Sequence, residues 1–488
     1  MIPNNISVPF DAGSNTEQLN SQSYLRMNDI RINDISIISN GAIIGIINQY
    51  AVCEISENLF HNNVTGVLGG IDGVNILSNL PVTGQEFLLI SFTTPGSDKE
   101  QEALFSIDKI IDRGPLQNKQ SQFFDIHFVC PTFLVNLFSN VNKSYKTTIN
   151  KMVSDIFETN FTNTERGMSV QGDGDTGKQL ISNESTEGES NIIIPNWNPF
   201  TAINWLSKRA RSSSNPLVCD YVFYQDLDGF HFRSISSMFD GDAVDLYVYG
   251  VDNANDFIRD NPDSPINVGK SMSNIRRLVI SGFDRSKETI RGAYSSSLLI
   301  HDIVNKKYET LDYNYLEDYD QKPSLNNGPI LPKNTNMYAG HPESKSYFVP
   351  THINMYGEPS FSEFNGANDG VKLWLQRHDA QLEQFKSSSI EIDVAGNSLR
   401  RIGDKVYVHI PSFEVSRREG EAKLDETLSG NYIITRVKHT LTKQRGHSMR
   451  LKLCKESNMV ASPDSTVLDN GMGSASGLID NSIGGMFS

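Results

Sequence analysis

Gly172-Asp-Gly-Asp-Thr-Gly-Lys178 is the stretch whose residue types come nearest to a ligand-binding motif. Glycines at its first, third and sixth positions, with a lysine behind them, match a loop whose bare backbone N–H groups cradle phosphate. Such a loop must follow a buried strand and open a helix. Here Met168-Ser-Val-Gln171 precedes it and a polar run rich in Ser and Glu follows, so the sequence predicts a flexible acidic loop instead. Asp173 and Asp175 could begin a calcium loop, but Gly177 falls at the fifth position rather than the sixth, and no third carboxylate is in register.

Ten histidines occur, none in HExxH or HxH spacing. His439 and His447 could face each other across a turn as a metal pair, although ordinary strand and turn residues are the simpler expectation. His301-Asp302 and His378-Asp379 are sequence neighbours, and neighbours on a strand point to opposite faces, so they do not read as dyads. Carboxylates in residues 414–426 are interleaved with Arg417, Arg418 and Lys423, as in a solvated loop or a contact surface for a partner. A glycosidase needs two carboxylates in a cleft, one with a raised pKa, and nothing singles out such a pair. Trp197 and Trp205 suit a core or helix-docking role better than a stacking platform. Cys53, Cys130, Cys219 and Cys454 lie far apart, which argues against a zinc site or disulfide framework and fits assembly in a reducing cytoplasm. The expectation is a protein that is not an enzyme, with no catalytic, cofactor-binding or metal residues and no cofactor.

The elements that would carry these residues are mostly strands. The chain has 488 residues, enough for about three domains, and 38% are hydrophobic. Its 43 Lys and Arg against 58 Asp and Glu give a net charge of −15, which favours solubility and repels nucleic acid. The first residues lack the basic and apolar regions of a secretion signal, and the longest apolar stretch, near residues 42–47, is too short to span a membrane. Residues 1–25 read as a polar arm. Short strands follow through residue 92 and again at 125–129. Ile149, Met152, Val153, Ile156 and Phe157 then share one helical face. Residues 163–191 read as a long polar loop. Asn198 can cap a second helix, with Pro199 in its first turn. A hairpin is expected from residues 218–224 and 230–235 around Asp228-Gly229. Strand-like segments at 277–280 and 298–303 lie in a mixed stretch, and a third helix fits Val371, Trp374, Leu375, His378, Leu382 and Phe385. The order expected is a first β-barrel at 26–140, an α/β region at 141–240 and a mixed α/β insertion at 241–388. Strands of a second barrel follow at 389–457, then a tail at 458–488 that orders only against a partner.

Two strand regions can be laid side by side. In the first, Gly84 precedes Phe87-Leu-Leu-Ile-Ser-Phe92, which stops near Pro95. Leu104-Phe-Ser-Ile-Asp-Lys-Ile-Ile111, Lys119-Gln-Ser-Gln122 and Phe123-Phe-Asp-Ile-His-Phe-Val-Cys130 follow. In the second, Gly403 precedes Val406-Tyr-Val-His-Ile410 and Pro411. Gly430-Asn-Tyr-Ile-Ile-Thr-Arg-Val-Lys-His439, Lys443-Gln-Arg-Gly446 and Ser448-Met-Arg-Leu-Lys-Leu-Cys454 follow. Strand, Pro stop, loop, strand, Lys-Gln turn and strand recur in one order. Alternating side chains suit a small antiparallel barrel or curled sheet, present twice.

Gly396-Asn-Ser-Leu-Arg-Arg-Ile-Gly-Asp-Lys-Val-Tyr-Val-His-Ile-Pro411, Leu428-Ser-Gly-Asn-Tyr-Ile-Ile-Thr-Arg-Val-Lys-His439 and the closing Ser448-Met-Arg-Leu-Lys-Leu453 resemble the central hub protein of phage tail baseplates, in particular those of contractile-tailed, T-even-like phages. Lys143-Ser-Tyr-Lys146, opening a helix at 145–160, and Ile194-Pro-Asn-Trp-Asn-Pro199, opening one at 199–211, agree with that family. The resemblance covers the first half of the chain to about residue 235 and the last 65 structured residues. It implies a homotrimer at the tail axis, in the virion baseplate, assembled in the host cytoplasm. The fold implied is mainly β with α+β insertions, two tube-like antiparallel barrels to a chain. The ring would join the sixfold tail tube, or a tube initiator, to the threefold central spike, and would meet the tape-measure protein. DNA would pass through its acidic lumen without specific binding, and no part would insert into a membrane. The competing readings are a tail-associated peptidoglycan hydrolase and a receptor-binding tail protein.

Overall fold

Period-two alternation carries most of the chain into antiparallel strands, and their core-facing residues decide how the sheets curl. The computed structural model describes residues 28–39, 42–79, 82–94, 99–116, 121–162, 179–250, 274–303, 306–330, 338, 340–351, 370–412 and 424–459. The arm at 1–25, the Gly172–Lys178 motif, almost all of the tail and most of 414–426 lie outside those residues.

The first strands are β1 (Arg31–Ser39), β2 (Ala42–Gly45), β3 (Tyr50–Asn58), β4 (Thr65–Asp72), β5 (Phe87–Thr93), β6 (Gln101–Pro115) and β7 (Gln122–Val129). After them come β8 (Val141–Thr147), β9 (Leu180–Asn183), β10 (Ser190–Trp197), β11 (Tyr221–Gln225) and β12 (Phe230–Ser234). The middle supplies β13 (Leu246–Tyr249), β14 (Asn274–Ile275), β15 (Arg277–Ser281), β16 (Ser295–Asp302), β17 (Lys307–Asn314), β18 (Gly328–Pro329) and β19 (Ser346–Thr351). The last strands are β20 (Ser388–Ala395), β21 (Lys405–His409), β22 (Gly430–Thr442), β23 (Gly446–Lys455) and β24 (Ser457–Asn458).

Fourteen of these strands form one sheet. One part runs β2-β1-β5-β6-β7-β4-β3, and the other joins β13, β21, β22, β23, β20 and β15 in that order, with β14 alongside β13. Each part contains the expected three-strand meander, β5-β6-β7 and β21-β22-β23. Three strands from the stretch that the sequence assigns to the mixed insertion, β13 to β15, pair into the second part. Among the described residues the sheet records no closed barrel. It does curl: one core gathers Ile35, Ile55, Leu68, Ile90, Phe105 and Ile126, one or more side chains from six successive strands. A second core gathers Tyr247, Val406, Ile434, Leu451 and Ile392 in the same way.

The two meanders match in register as well as in order. A bulge interrupts β6 between Ile107 and Lys109, and one interrupts β22 between Ile434 and Arg436; β6 has a second, between Ile110 and Asp112, that β22 lacks. Ile107 donates its N–H to the Glu86 carbonyl, and Ile434 donates to that of Asp404. Ile107 pairs with Phe128 and Ile434 with Leu453, so these positions correspond. Both bulged residues reach the third strand, by different bonds: the Asp108 carboxylate meets the ring of His127 at 3.0 Å, and the Thr435 hydroxyl donates to the backbone carbonyl of Lys452 at 3.0 Å. His127 and Lys452 occupy the same place on the third strand. Gly84 and Gly403, with φ of +92° and +87°, both turn the chain into the first strand. The structure therefore aligns Cys454 with Val129, one residue off the Cys130-to-Cys454 match that the sequence invites.

Size complementarity differs between the copies. Gly66 and Gly70 on β4 lie opposite Phe128 and Phe124, whereas Ile390 and Val394 on β20 lie opposite Leu453 and Met449. Rings cover the bare glycine backbone in the first copy, and branched aliphatics fill the same volume in the second.

Elsewhere the structure corrects several expectations. Lys143–Lys146 are not a helix start; they belong to β8, which pairs with β10, and the helix begins at Ile149. Strands β9 and β10 begin inside the supposed loop at 163–191. Asn198 stands at the N-cap of the helix Pro199–Ser207, but its side chain donates to the Asn136 carbonyl. Asn136 returns the favour of geometry by accepting the Phe200 N–H at 2.8 Å, so the cap comes from a neighbouring helix end. The hairpin β11–β12 and the helix Val371–Lys386 are where the sequence puts them.

A Cβ on Gly66 would sit 2.2 Å from the Phe128 ring and 2.2 Å from the Glu54 carbonyl. Gly66→Ala is expected to destabilise the chain by roughly 1–3 kcal/mol in urea unfolding. Phe128→Leu in that background should recover only part of the loss, because the Glu54 carbonyl stays in the way.

Candidate functional site: the junction of the two strand sets

Strand β22 carries the junction. Its Gly430–Ile433 edge pairs with β21, and beyond the bulge the same edge, Arg436–Thr442, pairs with β3. Strand β23 holds the opposite edge along most of its length. The carbonyl of Thr435 accepts the Leu59 N–H, so the bulge is hydrogen-bonded to the end of β3. On this seam alternation sends Val437, His439 and Leu441 inward, against Cys53, Ile55 and Glu57.

His439 and His447 do face each other across the β22–β23 turn, with Nδ1 of His439 3.0 Å from Nε2 of His447. Both are buried, with Phe92 edge-on to His447 and Gly396 bare beneath its ring. Burial pushes His439 down to about 3, with the Arg401 charge adding to the effect. Burial, then its neighbour His439, holds His447 well below the usual range. The Glu57 carboxylate lies 3.7 Å from Nε2 of His439. That position favours a hydrogen on Nε2, so Nδ1 accepts and Nε2 of His447 donates. The pair is a hydrogen bond between neutral rings. Among the described residues no group of three or more His, Cys, Asp or Glu is arranged to hold a metal ion.

Arg401 ties a third element to the seam. Its guanidinium donates to both Asp228 carboxylate oxygens, at 2.8 and 3.2 Å, to Gln101 at 2.6 Å and to the Ser398 carbonyl at 2.6 Å. Asp228 sits at the β11–β12 turn and Gln101 opens β6, so one side chain clamps both strand sets and the α/β region. Burial alone would raise Asp228, but Arg401 and then Lys99 outweigh it and hold the carboxyl below the usual range. Burial would likewise lower Arg401, and Glu57 and Asp228 more than offset that. Thr94 and Ser398, hydroxyls 2.8 Å apart, add a second tie.

The other candidates disperse. His378 contacts the Cys219 carbonyl at 2.7 Å, while Asp379 accepts from Tyr347. His301 lies among Tyr308 and Phe348. Trp197 and Trp205 pack edge to face at 5.4 Å, with Arg209 3.5 Å above Trp205. Asp220, Lys322 and Glu456 line an enclosed cavity of about 20 Å³, room for a single water and not for a sugar. An open cleft of about 400 Å³ beside the β22–β23 turn has Asp29 as the one carboxylate among its lining residues. Sequence reasoning missed Arg401: it stands in the mostly polar stretch Asn397-Ser-Leu-Arg-Arg401, and nothing local marks it as buried.

Because both histidines stay neutral when folded and ionise when unfolded, the unfolded chain binds more protons below pH 6.5. Stability is full above that value and falls as pH drops toward 3. The slope expected is roughly 1.4 kcal/mol per pH unit for each histidine. Urea midpoints at pH 7.5 and 5.5 measure it. The difference between the chain and its His439→Phe variant isolates the junction from carboxyls such as Asp220, which burial raises to about 6 and which act in the opposite direction.

No helix of the described residues is long and apolar enough to cross a membrane. No family model matches the chain. Two solved structures align with most of it. A tail protein from Neisseria meningitidis is 10% identical, covering 88% of this chain and 97% of that one, with a TM-score of 0.47. The 43 kDa tail protein of prophage MuSo2 from Shewanella oneidensis is 11% identical, covering 87% and 98%, with a TM-score of 0.48. A probable baseplate hub protein of Vibrio phage KVP40 is 19% identical over 400 residues, which span 79% of this chain and 86% of that protein. That match and the motifs at 396–411, 428–439 and 448–453 agree: the chain is similar to a hub protein of phage tail baseplates.

Proposed function

We propose that the chain is the axial hub of a tail baseplate, a structural protein of the virion whose homotrimer joins a sixfold tail tube to a threefold central spike. The observation that carries this reading is the duplication: two strand sets with one meander topology, a shared first bulge and matching inward alternation, fused along β22 and β3. Three chains then present six similar faces around an axis, and a threefold partner meets the same body through its threefold symmetry.

Each strand set acts as a tube-like barrel. In the second set, Asn274 and Ile275 pair with β13, and Arg277–Ser281 pair with β20, so a single segment joins the two ends of the row. In the first, the Ile46 N–H donates to the Ile35 carbonyl, drawing the turn before β3 against β1. The barrels span 26–140 and 389–457, the latter with β13 to β15 added, and one face of the ring meets the tube and the other the spike. Partners are the spike protein, the tube protein or its initiator, and the tape-measure protein. A lumen in a chain of net charge −15 repels DNA and lets it slide.

Native mass spectrometry should give a species at three times the 54.4 kDa chain mass, and electron microscopy of assembled tails should place it on the axis. A monomer that does not join a spike protein, or a lateral position, overturns the reading. Release of peptidoglycan fragments by the pure chain would favour a hydrolase in its place.

A further inference from the structure

Asp220 and Glu456 line one small cavity, and among the described residues each keeps a sealed oxygen that no donor reaches. Asp220 stands just before β11. Its Oδ2 accepts from the Ser236 N–H at 2.9 Å and the Ser236 hydroxyl at 2.7 Å, while its Oδ1 is the oxygen left over. Glu456 stands just before β24. Its Oε1 accepts from the Leu325 N–H at 2.8 Å and from the hydroxyls of Ser324 and Ser457 at 3.1 and 2.9 Å. Its Oε2 is left over in turn. Lys322 lines the same cavity with three hydrogens to give, and its Nζ reaches Gln384 Oε1 at 3.4 Å, a long bond. The side-chain amides nearby are engaged elsewhere. Gln381 bonds the Cys219 N–H and the Leu217 carbonyl, and Gln384 donates to the Ala293 carbonyl.

The cavity measures about 20 Å³, the room of one water molecule. Its charges select the occupant. Two carboxylates repel an anion. The Lys322 ammonium repels a metal ion, and among the described residues no group of three or more His, Cys, Asp or Glu is arranged to hold one. Water suits all three groups at once, because it donates a hydrogen to each carboxylate and accepts one from the lysine. We propose that this cavity binds a single structural water, bonded to Asp220 Oδ1, Glu456 Oε2 and Lys322 Nζ, which pins the start of the C-terminal tail to the root of β11. Burial raises both carboxyls, Asp220 to about 6, and lowers Lys322, so each group gains from the hydration the water supplies. Glu456 passes the restraint on: it holds Ser324 and Leu325, the Ser457 hydroxyl accepts the Asn326 N–H at 2.8 Å, and β18 pairs with β24. The water thereby fixes where the chain leaves the second strand set.

A crystal structure of the full chain that shows ordered waters should contain one peak within hydrogen-bonding distance of Asp220 Oδ1, Glu456 Oε2 and Lys322 Nζ. No peak, or Lys322 bonded directly to both carboxylates, overturns the site. An anomalous peak there after a rubidium chloride soak overturns it in favour of a cation. In solution, Lys322→Met removes the donor to the water while keeping an unbranched side chain. Hydrogen exchange at Leu325 and Asn326, whose N–H groups bond Glu456 and Ser457, should then quicken about tenfold, with exchange in β5 to β7 unchanged. Unchanged exchange at those two amides overturns the anchoring role, and where the variant fails to fold the crystallographic peak decides. None of these readouts depends on the oligomeric state, so their failure leaves the hub reading standing.

Discussion

The structure depends on one strand serving two neighbours along a single edge. Strand β22 gives its first four residues to β21 and its last seven to β3, and the bulge at Thr435 is where the change occurs. An extra residue there re-aims the backbone by a fraction of a turn, enough to leave one partner and meet another. Without it the two curled sheets would be separate bodies on a linker. With it they are one hydrogen-bonded sheet of fixed spacing.

That spacing matters because backbone pairing is directional while apolar contact is not. Two curled sheets held only by apolar surfaces could rotate against each other. Seven paired residues along β22 and β3, with Arg401 bonded to Asp228 and Gln101, set both register and angle. The neutral His439–His447 pair adds to this. A buried polar contact is satisfied in one alignment and orphaned in others, which penalises slippage more than it adds to stability. In the adaptor proposed above that rigidity matters, since errors in one chain accumulate around a ring.

The two copies also show what duplication preserves. The first bulge of β6 and the bulge of β22, the turn glycines and the inward alternation agree, although the filling of the core has diverged from Gly66–Phe128 to Ile390–Leu453. Backbone geometry dictates the first group, and volume alone governs the second, so different side chains meet the same requirement.

By itself the sequence determined the strand-rich character, the meander order, the β11–β12 hairpin, the third helix and the resemblance carried by residues 396–453. Each is written in local periodicity or in a contiguous motif. Tertiary structure alone decided that Lys143–Lys146 pair with β10, because a short amphipathic stretch reads equally as strand or helix until a partner edge is offered. It alone showed Asn136 capping the helix at Pro199 by accepting the Phe200 N–H from 64 residues away. It alone set Glu57 and Arg401 beside the His439–His447 pair, whose meeting across the turn the sequence suggests, and buried all four. Their environment is made by the seam between two distant strand sets, and no window of sequence contains it. The motifs fixed the modules; their joining depended on which edges remained unpaired once each had curled.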